Sequence, residues 1–144
     1  GIETIRKFDP SNLPVYIDTD GIRQVFLNII NNAKFAMSGG GALTVSTEVL
    51  TPETNWSFYQ EKDSTAPPPD KIMRVKFSDT GSGIRKEDIE KIFEPFFTTK
   101  PEEKGTGLGL SVSYAIIEKH GGSLEVESEL DVGTTIIIDL PIRE

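Results

Sequence analysis

The sequence predicts an α+β fold: a two-layer α/β sandwich with one mixed, mostly antiparallel sheet that three helices cover on one face. Segments of alternating polar and apolar residues occur beside segments with apolar residues at three- and four-residue spacing, so both strands and helices are expected. The two kinds of segment do not alternate strictly, which disfavours a parallel, doubly wound sheet. With 144 residues, of which 36% are hydrophobic and 26% charged, the chain fits one soluble globular domain.

The first third of the chain predicts two short strands and a long amphipathic helix. Residues 2–8 alternate in polarity and predict a weak strand, and residues 15–17 predict a second one. Thr19 or Asp20 can cap a helix that starts near Gly21. The apolar stripe of this helix comprises Ile22, Val25, Phe26, Ile29, Ile30, Ala33 and Met37.

The middle of the chain predicts two strands separated by a long insertion. Glycines at 39–41 end the helix, and residues 43–50 alternate again as a strand. Residues 51–70 are rich in proline and polar side chains without a PxxP pattern, which predicts a solvated surface loop. Residues 72–78 predict a strand, and residues 79–83 predict a turn at its carboxyl end.

The last third predicts two helices and a hairpin. Residues 86–93 predict a short helix that Pro95 ends, and residues 98–107 predict a mobile loop with glycine and proline breakers. Residues 108–120 predict a helix that Gly121 closes as its C′ cap. Two final strands are predicted at 123–129 and 134–140, with a turn at 131–133 between them.

Composition narrows the kinds of site that this chain can hold. It has no cysteine, which excludes disulfide scaffolds, cysteine nucleophiles and thiolate metal sites. Its one histidine, His120, excludes a multi-histidine zinc site, and its place in a helix's last turn favours a structural role. A net charge of −8 argues against a nucleic-acid partner. No apolar run approaches the roughly 20 residues of a membrane helix, so we expect no membrane contact by this chain.

Two asparagines of the first predicted helix form a candidate metal site. Asn28 and Asn32 are four residues apart at the border of the apolar stripe, so their side chains are neighbours. Neutral amide oxygens can hold a hard cation such as Mg²⁺ when phosphates supply the other ligands. Alternatively both side chains are simply solvated, as we expect for Asn31.

Asp79 is a candidate ligand for an exocyclic amine because it follows a strand of the buried type. Gly81 and Gly83 permit close backbone approach to a flat ligand. The alternative is an Asx-turn, which Asp-Thr-Gly sequences often form.

Alternate glycines at 105, 107 and 109 lie at the start of the last predicted helix and suggest a phosphate cradle. Their spacing matches neither a Walker A loop nor a Rossmann fingerprint, and a simple glycine-rich hinge is the alternative.

These motifs occur in a characteristic succession. In order they are Asn28-x-x-x-Asn32-Ala33, Asp79-x-Gly81-x-Gly83, Phe93-x-Pro95-Phe96-Phe97, Gly105-x-Gly107-x-Gly109 and Gly133-Thr134. The succession resembles the N, G1, F, G2 and G3 boxes of the ATP-binding catalytic domain of sensor histidine kinases, in the GHKL superfamily, over about residues 15–141. The Asn32-Ala33-x-x-Ala36-Met37 and Phe97-Thr98-Thr99-Lys100 variants look most like the nitrogen-regulation type.

The resemblance implies the Bergerat fold over residues 1–144, with ATP between the first helix and a lid at residues 98–107. It implies that Asn32 ligates Mg²⁺, with Asn28 assisting directly or through water. It implies that Asp79 accepts a hydrogen bond from the adenine N6 amine. The implied catalytic positions are Asn28, Asn32 and Lys100. The implied cofactor-binding positions are Asn28, Asn32, Ala36, Asp79, Gly81, Gly83, Ile84, Phe97, Lys104, Gly105, Thr106, Gly107, Leu108, Gly109, Leu110 and Thr134.

One position departs from the pattern of the family. Many members carry a basic residue three positions after the second asparagine, whereas this chain has Phe35 there and Lys34 one residue earlier. The role of Lys34 therefore stays open, and Lys100 and Lys104 are the candidates for the γ-phosphate.

The implied reaction is transfer of the ATP γ-phosphoryl group to a histidine on a separate dimerisation domain. His120 matches the family's His-Gly-Gly segment, so we expect the acceptor to lie outside this chain, as in an excised catalytic module. The implied partners are that domain of the same kinase and a response-regulator receiver domain. We expect a cytoplasmic, monomeric fragment of a homodimeric parent, whose membrane attachment the sequence leaves open.

Two alternative functions are kept. A gyrase-like or MutL-like ATPase needs a glutamate to orient water at the place of Asn28, and an amide cannot take a proton as a carboxylate can. A non-catalytic nucleotide-sensing module would need only the binding residues.

Overall fold

The computed structural model describes residues 1–10, 15, 17–51, 69–95, 97 and 109–142. Its strands form one sheet in the order β1-β2-β3-β5-β4, and the helices lie on one face of it. The elements in chain order are β1 (Ile2–Lys7), α1 (Thr19–Ala36), β2 (Gly41–Leu50), β3 (Lys71–Asp79), α2 (Lys86–Ile89), α3 (Gly109–Lys119), β4 (Ser123–Glu129) and β5 (Gly133–Ile142).

The sheet is mixed, as predicted. β1 pairs parallel with β2, whereas the β2–β3, β3–β5 and β4–β5 pairs are antiparallel. The register of the central pair places Asp79 opposite Thr134, at the end where β3 leaves the sheet. The predicted α+β sandwich is therefore confirmed.

The core lies between the sheet and the helices because each strand directs alternate side chains to the same face. Val75 and Phe77 of β3 face Ile138 and Ile136 of β5 across the ladder, and all four are buried. The predicted stripe of α1 packs on this face, and the Phe26 ring lies 5.3 Å from the Phe77 ring. Hydrophobic burial on this one face thus fixes which side of α1 is left to carry polar groups.

The chain before α1 differs from the prediction. Val15 and Ile17 lie outside any strand, so the strand predicted at 15–17 is wrong for both residues, and Tyr16 is not among the described residues. The helix also starts earlier than predicted: Asp18 is its N-cap, and the Asp18 side chain accepts from the Asp20 amide. Asp18 itself has an extended backbone, and its side-chain hydrogen bond satisfies one of the free amides of the first helical turn.

The second predicted helix is shorter than expected. Only Lys86–Ile89 is helical, and the chain continues to Phe93 in turns. The amide of Lys91 bonds the carbonyl of Asp88 three residues back, at 2.9 Å, so the chain tightens instead of continuing an α-helix. This geometry keeps the Phe93 ring against Tyr114 of α3, at 5.3 Å between ring centroids.

Two predicted loops fall largely outside the described residues. Of the loop at 51–70, only residues 51, 69 and 70 are described, and residues 98–107 are not described at all. Within the part of the chain that is described, no helix is both long and apolar enough to span a bilayer.

Candidate functional site

The Asn28 side chain joins α1 to the first turn of α3. Its Nδ2 lies 3.2 Å from the Gly109 carbonyl oxygen and 3.3 Å from Ser113 Oγ. Ser113 Oγ in turn donates to the same Gly109 carbonyl at 2.8 Å. A carbonyl can only accept, so the Asn28 amide must present its NH₂ to α3 and its Oδ1 away from it.

Asn32 lies one turn further along the same face of α1 and is half-buried, whereas Asn31 is exposed as expected. Lys34 is exposed and Phe35 is half-buried. The described residues hold no cluster of three or more His, Cys, Asp or Glu side chains. Two amide oxygens suit Mg²⁺, which takes few protein ligands when phosphates complete its shell, and they suit Zn²⁺ poorly.

Asp79 ends β3 with its two carboxylate oxygens in different roles. Oδ1 accepts from the backbone amides of Gly81, at 2.9 Å, and Thr134, at 3.2 Å. Partial burial raises the pKa of Asp79 above its ordinary value, although both backbone hydrogen bonds oppose that shift. The Asx-turn with Gly81 therefore forms. Among the described residues both hydrogen bonds to this carboxylate go to Oδ1, so Oδ2 can accept from another group.

Gly81 and Gly83 are required by contacts within the protein. A Cβ on Gly81 would lie 2.7 Å from both Ala36 Cβ and the Ala36 carbonyl oxygen. Gly83 has φ +76°, and a Cβ there would overlap the Glu129 carbonyl oxygen. The close approach that these glycines permit is to α1 and to the β4–β5 turn, and their approach to a flat ligand stays a prediction.

A hydroxyl network supports the Asp79 end of the site. Ser128 Oγ accepts from the Ile84 amide at 2.8 Å and donates to the Gly133 carbonyl at 3.1 Å. It also lies 2.8 Å from Thr134 Oγ1. Ser128 thus bonds the turn after β3 to the start of β5.

Sequence reasoning missed both Ser128 and Ser113. Ser128 continues the helix-facing positions of β4 after Leu124 and Val126, where an apolar residue is expected. Ser113 is fully buried at helical spacing from Ile117. In each case a small polar residue at a core position was the available signal.

The predicted phosphate-binding segment is described only where α3 begins. Gly109 and Leu110 are the first two residues of that helix, and both are half-buried. Phe97 is also half-buried. The predicted roles of Lys100, Lys104, Gly105, Thr106, Gly107 and Leu108 lie outside the described residues.

His120 lies at the opposite end of α3 and bonds it to the start of α1. Its Nδ1 lies 2.8 Å from the Ile116 carbonyl, and its Nε2 accepts from the Asp18 amide at 2.9 Å. Because Nε2 accepts, the proton is on Nδ1 and the ring is neutral. A structural role was predicted, but it operates through these two hydrogen bonds and not through a charge at the helix end.

Comparisons with known proteins show the family of this chain. The family described as histidine kinase-, DNA gyrase B- and HSP90-like ATPase matches residues 17–144. The sensor kinase CckA of Brucella abortus is 43% identical over 128 residues, which cover 89% of this chain and 13% of CckA. Sporulation kinase E of Bacillus subtilis is 37% identical over 131 residues, which cover 91% of this chain and 15% of that kinase.

Solved structures agree as well. The catalytic domain of the histidine kinase ThkA, in a nucleotide-free form, has a TM-score of 0.73 and is 32% identical, covering 99% of this chain and 80% of that one. The chain therefore belongs to the histidine kinase-, DNA gyrase B- and HSP90-like ATPase family, as a catalytic domain of the sensor histidine kinase type.

Proposed function

We propose that this chain binds Mg²⁺-ATP and supplies the γ-phosphoryl group to a histidine on a separate dimerisation domain. The observation that carries the nucleotide part is the asymmetry of Asp79. One carboxylate oxygen is held by two backbone amides, so the other oxygen has a defined direction at the end of the central strand β3. A rigid acceptor of this kind recognises an exocyclic amine such as adenine N6.

The base-binding end selects adenine by the polarity of its hydrogen bonds. Asp79 Oδ2 offers lone pairs to the N6 amine, and Thr134 lies opposite Asp79 to support the same network. Guanine carries a carbonyl oxygen where adenine carries the amine, so two acceptors would meet and GTP binds poorly.

The phosphate end is formed by α1 and the first turn of α3. Asn32 and Asn28 present amide oxygens of the kind that fit Mg²⁺. The backbone amides at Gly109 and Leu110 begin a helix, where partial positive charge favours phosphate oxygens. When bound, the ion supplies charge neutralisation on the phosphates, which is the main demand of phosphoryl transfer.

The chain contributes position and charge, while the nucleophile comes from its partner. A nitrogen of the acceptor histidine forms a bond to the γ-phosphorus, the bond to the β,γ-bridging oxygen breaks, and ADP leaves. Asn28 stands where a hydrolytic relative needs a proton acceptor, and an amide cannot serve as one. The isolated chain therefore binds ATP but hydrolyses it slowly.

The relatives that match here are much longer than this chain, so the partners are part of the proposal. They are the dimerisation domain of the same kinase, which makes the parent a homodimer, and a receiver domain that takes the phosphoryl group onward. In this proposal the fragment itself is monomeric and works in the cytoplasm.

The test mixes the chain with a histidine-bearing helical domain and γ-labelled ATP. Transfer predicts an acid-labile, base-stable label on the helical domain, and this label is lost with an Asn32→Ala chain. Rapid steady-state hydrolysis by the chain alone would favour the gyrase-like alternative instead. Tight ATP binding with no transfer to any acceptor domain would favour a nucleotide-sensing module.

A further inference from the structure

We propose that Ser113 is a positioning residue that sets the orientation of the Asn28 amide, so that Oδ1 of Asn28 faces the metal–phosphate side of the site. The inference rests on the proposed function, since it concerns how this chain would hold Mg²⁺-ATP. Ser113 belongs to α3 and lies outside every motif identified in the sequence, and the inference adds it to the residues that support Asn28 of α1.

The polarity of the three-residue contact leaves one consistent arrangement. Ser113 has one hydroxyl proton, and the 2.8 Å bond to the Gly109 carbonyl uses it. Ser113 Oγ therefore faces Asn28 with lone pairs and accepts from Nδ2 at 3.3 Å. The second Nδ2 proton goes to the Gly109 carbonyl at 3.2 Å. Both donors of the amide are then satisfied by α3.

The reverse orientation of the amide is disfavoured twice. Rotating Asn28 by half a turn would place Oδ1 against the Gly109 carbonyl oxygen, which is a contact between two acceptors. Ser113 could donate to the turned Oδ1 only by giving up its own bond to the Gly109 carbonyl, a loss in a partly buried place where unmet hydrogen bonds are costly. Without the Ser113 hydroxyl, only the Gly109 carbonyl would oppose that rotation, and the amide would be less strongly oriented.

Helix stability does not explain a serine at this position. Alanine is the better helix former, and a serine that bonds the carbonyl four residues back slightly disfavours a straight helix. Ser113 has 0% exposure, so its hydroxyl gains nothing from water. Alanine could supply neither of the two hydrogen bonds of Ser113, and of these the bond to Asn28 is the one that joins α3 to α1.

The contact also joins two parts of the site. Gly109 begins α3, and its carbonyl oxygen accepts hydrogen bonds from both Asn28 and Ser113. The same turn carries the amides proposed to meet the phosphates. Ser113 therefore couples the orientation of a metal-side amide to the position of the phosphate-binding turn.

The test measures how strongly Mg²⁺ tightens ATP binding, by calorimetry with the whole chain in EDTA and in Mg²⁺. The readout is the ratio of the two dissociation constants. For Ser113→Ala we expect this ratio to fall about threefold to tenfold, the loss expected from one neutral hydrogen bond, with little change of affinity in EDTA. Ser113→Thr keeps the hydroxyl and is expected to restore most of the ratio.

Two comparisons separate positioning from a general structural effect. Ser78→Ala removes a serine hydroxyl that bonds Thr135 at 2.9 Å, from a β3 position on the sheet face turned away from the helices. It is expected to leave the Mg²⁺ ratio unchanged. Adding Ser113→Ala to an Asn28→Ala chain is expected to have no further effect on the ratio, because the amide to be oriented is gone.

The outcomes distinguish this inference from the proposed function. A wild-type chain that binds ATP more tightly with Mg²⁺, together with an unchanged ratio in Ser113→Ala, overturns the positioning role and leaves the function standing. A further loss in the double variant, equal to that in the single one, also overturns it. A wild-type chain that fails to bind ATP, or binds it equally with and without Mg²⁺, overturns the proposed function and this inference together.

Discussion

Replacing Asp79 by asparagine tests adenine recognition with the smallest change of shape that the side chain allows. The amide oxygen of the new residue can take the place of Oδ1 and keep the bonds from the Gly81 and Thr134 amides. The NH₂ group then occupies the place of Oδ2. Two donors would meet where the adenine N6 amine is proposed to bind, and one of them would stay unsatisfied.

The size of the effect follows from the kind of bond that is lost. A hydrogen bond to a charged group contributes about 1.5–3 kcal/mol, which corresponds to roughly tenfold to 150-fold weaker binding. Folding should respond in the opposite direction. Burial raises the pKa of Asp79, so its charge is less favourable in the folded state, and removing that charge should leave the melting temperature unchanged or slightly higher.

Calorimetric titration with Mg²⁺-ATP, beside thermal melts of the free protein, checks both expectations. Asp131→Asn is the matched control, because it removes one exposed carboxylate from the β4–β5 turn, where its φ of +63° suits asparagine. A nucleotide of unsubstituted purine, which has neither an amine nor a carbonyl oxygen at C6, should bind wild type and Asp79→Asn alike. Affinity of Asp79→Asn for ATP within twofold of wild type would refute the assignment of Asp79 to the base.

Three further outcomes are expected. ATP affinity should fall as the pH drops through the raised pKa of Asp79, because the protonated carboxyl would turn a donor towards the amine, and an equal fall in Asp79→Asn would contradict this. Arg74→Met should lower the free energy of unfolding in urea by about 3 kcal/mol, because it leaves Asp139 buried without the 2.8 Å ion pair. Adding Asp139→Leu should recover most of that loss, and no recovery would show that the charge was not its cause. His120→Ala should cost about 0.5–1.5 kcal/mol of unfolding free energy by removing the hydrogen bond from the Asp18 amide, with ATP affinity unchanged; a large loss of affinity would place His120 in the binding site.

The fold was predictable wherever one pattern decided an element. The stripe of α1 and the alternation of β3 and β5 follow from burial on a single face, and the structure confirms them. The strand predicted at 15–17 was wrong for Val15 and Ile17 because a short apolar run resembles a strand, whereas Asp18 directly after it is the N-cap of a helix. The length of α2 was overestimated because apolar periodicity does not distinguish an α-helix from turns with hydrogen bonds three residues back, such as the one from Lys91 to Asp88.

Two candidate positions could be singled out from the sequence, and their roles toward a ligand stay predictions; the residues that support them could not be singled out. Asn28 and Asp79 stand out because amides within a helix and a carboxylate before two glycines are unusual locally. Ser113 bonds Asn28, which is 85 positions away in the sequence, and Ser128 bonds Ile84, which is 44 positions away. Only the folded chain therefore shows which polar atoms these two serines meet. Gly83 was predicted to permit close approach of a ligand, which stays a prediction, whereas its close contact with the Glu129 carbonyl depends on the tertiary arrangement.

Two cross-links with a large separation in sequence join α1 to α3. Asn28 bonds the beginning of α3, and the Asp18 amide bonds His120 at its other end. These two hydrogen bonds oppose both sliding and rotation of one helix against the other, so α1 and α3 should move as one rigid unit on the sheet. If the proposed function is right, exchange of ATP for ADP should therefore leave the position of α1 relative to α3 unchanged.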